Sequence, residues 1–185
     1  MSLNTWHETL VTAKVDGPTL TAAARASCLP TTAVIGGLPN NFFVIGKKIR
    51  ILASGRISCV VTTPGTARFD VTVAAVVVFD SLALNLNLVA KVAVPWFLQI
   101  DLTCRAEGSG TSANLMGNGL FISEAVVGSP LPAAGGNGVL NIPVGTPTVG
   151  TGFDSTLSNK LDMFFTQTVA TGSFTLHQYE VIALN

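Results

Sequence analysis

The chain has 185 residues with ten basic and ten acidic side chains, so its formal net charge is zero. This balance excludes the strongly basic surface with which proteins bind nucleic acid or anionic membranes. Charged residues make up 11% of the chain, where about 25% is typical, and the mean hydropathy is +0.54. A free monomer needs more surface charge than this, so we expect other subunits to cover part of the surface.

The length predicts one domain, residues 1–185, whose core buries about 70% of the surface of the unfolded chain. The longest apolar run, residues 73–79, is far short of the roughly 20 residues of a membrane-spanning helix. Residues 1–8 contain neither a basic n-region nor an apolar h-region. We therefore predict no secretory signal and expect the protein to stay soluble in the compartment where it is made.

Residues 1–30 are apolar but weakly patterned, and between a short helix and extended structure we favour extended structure. Ordering each backbone residue costs on the order of 1 kcal/mol that solvent contacts do not return, so such a segment is stable only when it packs on something. We therefore predict an N-terminal arm that reaches a neighbouring subunit. Trp6, within this arm, is a candidate interface residue.

The clearest strand signal lies in residues 47–61. From residue 49 onward apolar side chains occupy alternate positions, with Leu52 as the exception, which is the period of a strand with one buried face. Pro64 and Gly65 then predict a turn, because Pro fixes φ and Gly accepts a positive φ. The alternation resumes in residues 67–73, so we predict an antiparallel pair joined by this turn.

Basic side chains line the polar side of this strand: Lys47, Lys48, Arg50 and Arg56. One interpretation is a cross-strand charge ladder with Asp70, Asp101 and Glu107, in which each exposed pair is worth tenths of a kcal/mol. The other is a docking surface for an acidic neighbour. We favour the ladder and keep Lys48, Arg50 and Arg56 as candidate interface residues.

Residues 73–79 are apolar at every position, so a strand here has two apolar faces. One face meets the core, and in a two-sheet protein the other most often meets a partner chain or a covering loop. We predict that Val76 or Val78, whichever faces outward, is an interface residue. Together with the low charge, this run predicts an oligomer, with a trimer as our expectation.

Further strand-like segments follow at residues 82–88, 96–107, 111–126, 160–170 and 173–184. We predict a strand boundary at Pro95, and a bulge or close backbone approach at Gly117 and Gly119. Residues 127–152 are rich in Gly and Pro and uncharged, which is typical of a functional or disordered loop. About eight strands and no amphipathic helix predict an all-β, two-sheet antiparallel sandwich. A jelly roll fits best, with barrel and immunoglobulin-like topologies as alternatives.

The sequence contains no catalytic or metal-binding pattern, so we predict no enzyme, no catalytic residue, no metal and no cofactor. The odd cysteine count without short spacings predicts buried reduced thiols rather than a disulfide or a metal site. His177 is expected in polar strand-face packing or in an interface. Phe-Asp-Ser occurs at both Asp80 and Asp154, which predicts two Asx-turns, with a catalytic carboxylate pair as the alternative.

Five motifs resemble a group of tailed-bacteriophage virion proteins. They are GRISCVVTTPGT (residues 55–66), VPWF (94–97), LTCRA (102–106), LMG (115–117) and LHQYE (176–180). The resemblance extends from about Gly36 to the C-terminus and leaves out the first 30 residues. Among virion proteins of this size and strand content, the jelly-roll decoration or cement proteins of the capsid look closest, which is a likeness at the level of the fold.

The resemblance implies a non-enzymatic protein of the capsid surface that binds the major capsid protein and itself, typically as a trimer. The alternative within this class is a tail or baseplate component. From a different class comes a carbohydrate-binding jelly roll for host adhesion. Exposed aromatic residues around a concave face would favour the carbohydrate-binding protein, whereas a flat apolar patch would favour the cement protein.

Overall fold

The computed structural model describes residues 7–60, 64–127 and 138–184. Within them the chain forms twelve β-strands and one short 3₁₀ turn, Thr31–Ala33. In chain order the strands are β1 (Glu8–Thr12), β2 (Arg25–Ser27), β3 (Ile35–Leu38), β4 (Lys48–Cys59), β5 (Thr66–Val73), β6 (Val76–Asp80), β7 (Leu84–Asn85), β8 (Lys91–Ala106), β9 (Asn114–Ser123), β10 (Val139–Ile142), β11 (Asn159–Gln167) and β12 (Ser173–Ala183). No helix in the described residues is long and apolar enough to cross a membrane.

The strands form two antiparallel sheets that pack as a sandwich. Sheet A has the order β1-β12-β4-β8-β9-β10, and sheet B has the order β2-β11-β5-β6, with β3 added to β11 and β7 added to β5. Eight strands form a nested set in which β1 pairs with β12, β2 with β11, β4 with β8, and β5 with β6. This first-with-last nesting is the double Greek key of a jelly roll. The predicted jelly-roll sandwich is confirmed, and β3, β7, β9 and β10 are additions to it.

The predicted pairing of β4 with β5 is wrong. Strand β4 lies between β12 and β8 in sheet A, whereas β5 lies between β11 and β6 in sheet B. Both strands do alternate as expected, because each has one face on the core. Periodicity reports which face of a strand is buried and carries no information about its partner.

An aromatic cluster joins the two sheets at the centre of the core. Phe69 of β5 contacts four other rings, with centroid separations of 5.0–6.1 Å. These rings are Trp96, Phe121, Phe165 and Phe174, and all of them are buried. Phe165 of sheet B stacks on Phe174 of sheet A with centroids 4.0 Å apart. Full burial of a side chain of this kind contributes about 1.5–3 kcal/mol, so the cluster is a main source of sheet-to-sheet cohesion.

The N-terminal segment belongs to the sandwich. β1 pairs with β12, Leu20 forms a bridge with Phe174, and β2 pairs with β11. Cys28 and Leu29, which follow β2, are buried in the core. The expectation of extended structure was correct, but the predicted free arm is wrong for residues 8–29. Trp6 lies outside the described residues.

The two-sided apolar run of residues 73–79 is a hairpin. Val73 ends β5, Ala74 and Ala75 form the turn with φ values of 51° and 66°, and Val76 begins β6. The chain therefore reverses within the run, and its apolar residues are shared between two strands. Val78 is only 1% exposed, and Val76 packs partly buried against the core. Of the two interface candidates, Val78 is excluded because its side chain is in the interior, so the prediction is left with the partly exposed Val76.

Strands β8 and β9 are tightly paired where the sequence has its two glycines. A Cβ on Gly119 would lie 2.1 Å from the carbonyl oxygen of Gln99, and one on Gly117 would lie 2.4 Å from the Phe79 ring. The predicted close backbone approach is confirmed at Gly119, whereas at Gly117 the space is taken by the side chains of Phe79 and Leu102. Pro95, predicted as a boundary, lies within β8. It is tolerated there because β9 ends opposite Trp96, which leaves β8 paired on one side only.

The uncharged stretch of residues 127–152 is only partly a loop. Residues 128–137 lie outside the described part of the chain. Val139–Ile142 forms β10, which pairs with β9 and extends sheet A by one strand. Residues 143–151 then run beside β6, where Thr151 N donates to the Val77 carbonyl at 3.1 Å.

Candidate interaction surface

The outer face of sheet A carries the basic residues that the sequence singled out. Arg50 of β4 lies directly opposite Asp101 of β8. Arg50 Nε donates to Asp101 Oδ1 at 2.6 Å, and Arg50 Nη2 donates to Oδ2 at 2.9 Å. Lys48 Nζ lies 3.1 Å from the same Oδ2. The geometry is a two-pronged ion pair supported by a second cation.

The local charges determine the ionisation of Asp101. Partial burial opposes its negative charge, but the hydrogen bonds and charges of Arg50 and Lys48 outweigh burial, so the pKa of Asp101 lies below its usual value. Asp101 therefore stays ionised throughout the neutral range. The ladder interpretation is correct for this part of the face.

The rest of the predicted ladder is wrong. Asp70 lies on sheet B, where it binds Arg25, and Glu107 Oε2 accepts a hydrogen bond from the Ile45 amide. Arg56 is exposed opposite Pro95 and has no ion-pair partner among the described residues. Of the basic candidates on β4, Arg56 is thus the one available to an anionic group of another molecule.

A row of exposed apolar side chains crosses the same face. Phe97 of β8, Ile122 of β9 and Val139 of β10 lie directly opposite one another in register. They are 39%, 39% and 44% exposed. Directly opposed residues have Cβ atoms about 4.5–5.5 Å apart, so the three form one continuous patch, which we call the apolar row. Leu120, on the same face of β9, is partly exposed beside it.

The sequence contained only a weak signal for the apolar row. Phe97 lies on the same face of β8 as the polar residues Gln99 and Asp101. A single apolar residue on an otherwise polar strand face is common, so it does not indicate a patch. Ile122 lies in a loosely patterned strand, and Val139 lies in a stretch that was predicted as a loop. Only the strand register shows that the three are neighbours.

Both ends of the sandwich also expose apolar side chains. At one end Leu88, Val89 and Val92 lie in or beside the connection from β7 to β8, and Val92 is 81% exposed. The opposite end exposes Val44, Ile45 and Leu157. The composition therefore correctly predicts a surplus of apolar surface, which lies at these positions and not at Val78.

The cysteines behave as the sequence predicts. Cys28, Cys59 and Cys104 are free and buried. Burial raises the pKa of each thiol, so none of them is a ready thiolate.

Both Phe-Asp-Ser sequences form the predicted Asx-turns. Asp80 Oδ1 accepts from Leu82 N at 2.8 Å, and Asp154 Oδ1 accepts from Thr156 N at 2.9 Å. Each carboxylate has further partners of its own: Arg68 for Asp80, and the Gly110 amide for Asp154. The alternative of a catalytic carboxylate pair finds no support in these separate contacts.

The remaining polar and aromatic candidates are structural or peripheral. His177 Nδ1 lies 2.9 Å from Asp16 Oδ1, next to a bulge in β12. Trp96 and Tyr179 are both buried. Among the described residues, no group of three or more His, Cys, Asp or Glu side chains could hold a metal ion.

Comparisons of the chain with protein-family models, with curated proteins and with solved structures found no match.

Proposed function

We propose that this chain is a non-enzymatic structural protein of a tailed-bacteriophage virion, a jelly-roll decoration protein that binds the major capsid protein and stabilises the head shell. The observation that carries the proposal is the apolar row on an open sheet face beside a basic cluster. The motif resemblance and the jelly-roll topology support it.

The size of the outer face of sheet A suits a stable protein contact. Six strands spaced about 4.8 Å apart span about 24 Å, and a strand of twelve residues such as β4 is about 40 Å long. The resulting area of about 960 Å² is sufficient for the roughly 800 Å² that each partner buries in an interface of standard size. The apolar row supplies the desolvated centre of such an interface, and the charged residues supply its rim.

The chemistry of this face defines its partner. Arg56 and the Lys48–Arg50 cluster favour a partner surface with carboxylates near its edge, and the apolar row favours an aliphatic centre. The patch also favours protein over carbohydrate, because Phe97 is its one aromatic ring and is flanked by Ile122 and Val139, while Trp96 and Tyr179 are buried.

The exposed ends of the sandwich support contacts between copies of the chain. Docking of the outer face of sheet A on the shell leaves Leu88, Val89 and Val92 exposed. A second contact is needed to cover them. We propose that these residues hold a homotrimer, while the outer face of sheet A binds the shell.

The test uses virus particles that lack the protein and are supplemented with purified variants. Wild-type protein should bind the shell and raise the temperature at which heads release their DNA. Ile122→Lys should abolish binding, because it buries a charge in the centre of the contact. Ala23→Lys, which adds the same charge in an exposed loop, should bind like the wild type.

Two outcomes contradict the proposal. One is that supplemented and unsupplemented heads are equally robust while host adsorption depends on the protein. The other is that mass spectrometry of separated heads and tails finds the protein only in tails, which would assign it to the tail or baseplate.

A further inference from the structure

A groove lies at the edge of sheet B, between β6 and residues 143–151. Residues 143–151 bind β6 near both of its ends, where Val144 N donates to the Ser81 carbonyl and Thr151 N donates to the Val77 carbonyl, both at 3.1 Å. Between them lies a cavity of about 370 Å³, which we call the β6 groove. This volume is within the range of about 300–1,000 Å³ that is typical of small-molecule sites.

We propose that the β6 groove binds a neutral saccharide. One wall carries the Arg68–Asp80 ion pair, in which Arg68 Nε donates to Asp80 Oδ1 at 2.7 Å and Nη2 binds Oδ2. The pair uses the Nε–Nη2 edge of the guanidinium, so the end formed by Nη1 and the second hydrogen of Nη2 remains a donor on the same wall as the acceptor Oδ2. Vicinal sugar hydroxyls both donate and accept hydrogen bonds, so they match this side-by-side arrangement.

The other walls complete a surface for a polyol. Thr146, Thr148 and Thr151 line the groove, and each hydroxyl can donate and accept. Leu82 and Val149 are exposed and apolar, which suits the C–H face of a pyranose ring. Arg68 and Asp80 cancel each other's charge, and no other charged side chain lines the groove among the described residues, so a neutral ligand is favoured over an ionic one.

The backbone holds Leu82 in an unusual conformation at the edge of the groove. Its φ is 61°, a left-handed value that costs a leucine about 1–3 kcal/mol. Asp80 Oδ1 accepts from Leu82 N, and Ser81 Oγ donates to the Leu82 carbonyl, both at 2.8 Å. The same carboxylate thus fixes Leu82 and offers an acceptor to the ligand.

The groove does not depend on the proposed docking of sheet A. Arg68 and Asp80 lie on sheet B, whereas the groove itself runs along the edge strand β6 and also includes Gly117 of sheet A in its lining. A molecule attached through the outer face of sheet A would keep the outer face of sheet B, with Arg68 and Asp80, away from its support. The saccharide site would then be accessible on the attached protein.

Nuclear magnetic resonance titration of the full chain tests the proposal. The probes are the methyl glycosides of glucose, galactose, mannose and N-acetylglucosamine. At least one should give saturable shifts of the Leu82, Thr148 and Val149 amides. Arg68→Gln should weaken that binding about tenfold, because it removes charge-assisted hydrogen bonds. Arg50→Gln, which breaks the corresponding pair on sheet A, should bind like the wild type.

Thr148→Val provides a second variant in case Arg68→Gln lowers stability, and it should also weaken binding. The proposal is overturned if none of the four glycosides gives saturable shifts in the wild type, or if both groove variants bind as well as the wild type. It is also overturned if the acidic sugar N-acetylneuraminate binds the groove more tightly than all four neutral glycosides. Failure in any of these ways leaves the capsid-binding experiment unaffected.

Discussion

The outer faces of the two sheets both carry ion pairs, but they differ in what surrounds them. On sheet B, Asp70 and Asp80 lie directly opposite each other, an arrangement that is destabilising unless it is neutralised. Arg25 binds Asp70, and Arg68 binds Asp80. The Arg25 guanidinium also lies 3.6 Å from the centre of the Phe164 ring. This face neutralises its charges internally and suits contact with water.

Sheet A carries ion pairs as well, but its outer face also has the exposed apolar row. The Asp101 cluster occupies one part of the face, and the apolar row occupies another. A chain with only 11% charged residues cannot cover both faces with ion pairs. The comparison teaches that the apolar side chains beside the ion pairs, more than the number of ion pairs, distinguish the face that we propose as the partner-binding one. The four variants below test this comparison, in decreasing order of their effect on the free energy of unfolding.

Phe69→Ala removes the centre of the core that both faces share. We expect a loss of about 4 kcal/mol in the free energy of unfolding, because a large buried ring leaves a cavity. Urea titration followed by circular dichroism measures the loss. Phe97→Ala, at an exposed phenylalanine of the apolar row, is the control and should cost less than about 1 kcal/mol. Equal losses would mean that the aromatic cluster is not the main link between the sheets.

Asp70→Asn tests whether the sheet B charges are structural. The Asp70 side chain is 4% exposed, and its loss leaves Arg25 with a neutral partner. We expect a cost of about 2 kcal/mol at neutral pH, since hydrogen bonds to charged groups contribute about 1.5–3 kcal/mol. Urea titration measures the unfolding free energies of both this variant and Asp101→Asn. The loss should be smaller for Asp101→Asn, which changes an ion pair on sheet A. A larger cost for Asp101→Asn would reverse our assignment of the structural face.

The Asp101 pair should make stability depend on pH in the acid range. Its pKa is lower in the folded than in the unfolded chain, so its contribution is present above the unfolded value and is lost as pH falls through the folded value. Asp101→Asn should cost about 1 kcal/mol at pH 7, because its partners are partly exposed. The difference from the wild type should shrink as the pH falls below about 4. A difference that persists unchanged at pH 2 would contradict this account.

Val92→Lys should leave the unfolding free energy within about 0.5 kcal/mol of the wild type, because the side chain is already in water. Light scattering at micromolar concentration should show a trimer for the wild type and a monomer for this variant. Ile122→Lys should remain a trimer, since the apolar row is assigned to the shell. If Ile122→Lys dissociates the trimer and Val92→Lys does not, the apolar row forms the trimer contact instead of the shell contact. A monomeric wild type would contradict the proposed trimer.

Sequence patterns predicted the buried faces of the long strands well, because a half-buried strand must alternate. They did not predict partners, since β4 alternates identically whether its neighbour is β5 or β8. The hairpin at Ala74 and Ala75 was missed because neither residue is a usual turn former. Strand β10 was missed because Gly and Pro surround it.

The candidate site was predictable only where an individual residue, such as a charged one, is recognisable from the sequence by itself. Lys48, Arg50 and Asp101 were found because charges stand out on the polar phase of a strand. The apolar row was missed because Phe97, Ile122 and Val139 come from three separate segments. The β6 groove was missed for the same reason, since Arg68 and Thr148 meet only after the chain has folded.

The nesting of the strands also has a consequence for biosynthesis. Strand β12 lies between β1 and β4, and β11 lies between β2 and β5, so the last two strands are central to both sheets. A nascent chain that still lacks them holds β1 and β2 without their partners. We therefore expect folding to be completed only after β11 and β12 have emerged from the ribosome, and to be slow, as is usual when pairing depends on segments far apart in sequence. During that interval the unpaired apolar strands need protection from aggregation, so production of the protein should depend on chaperones.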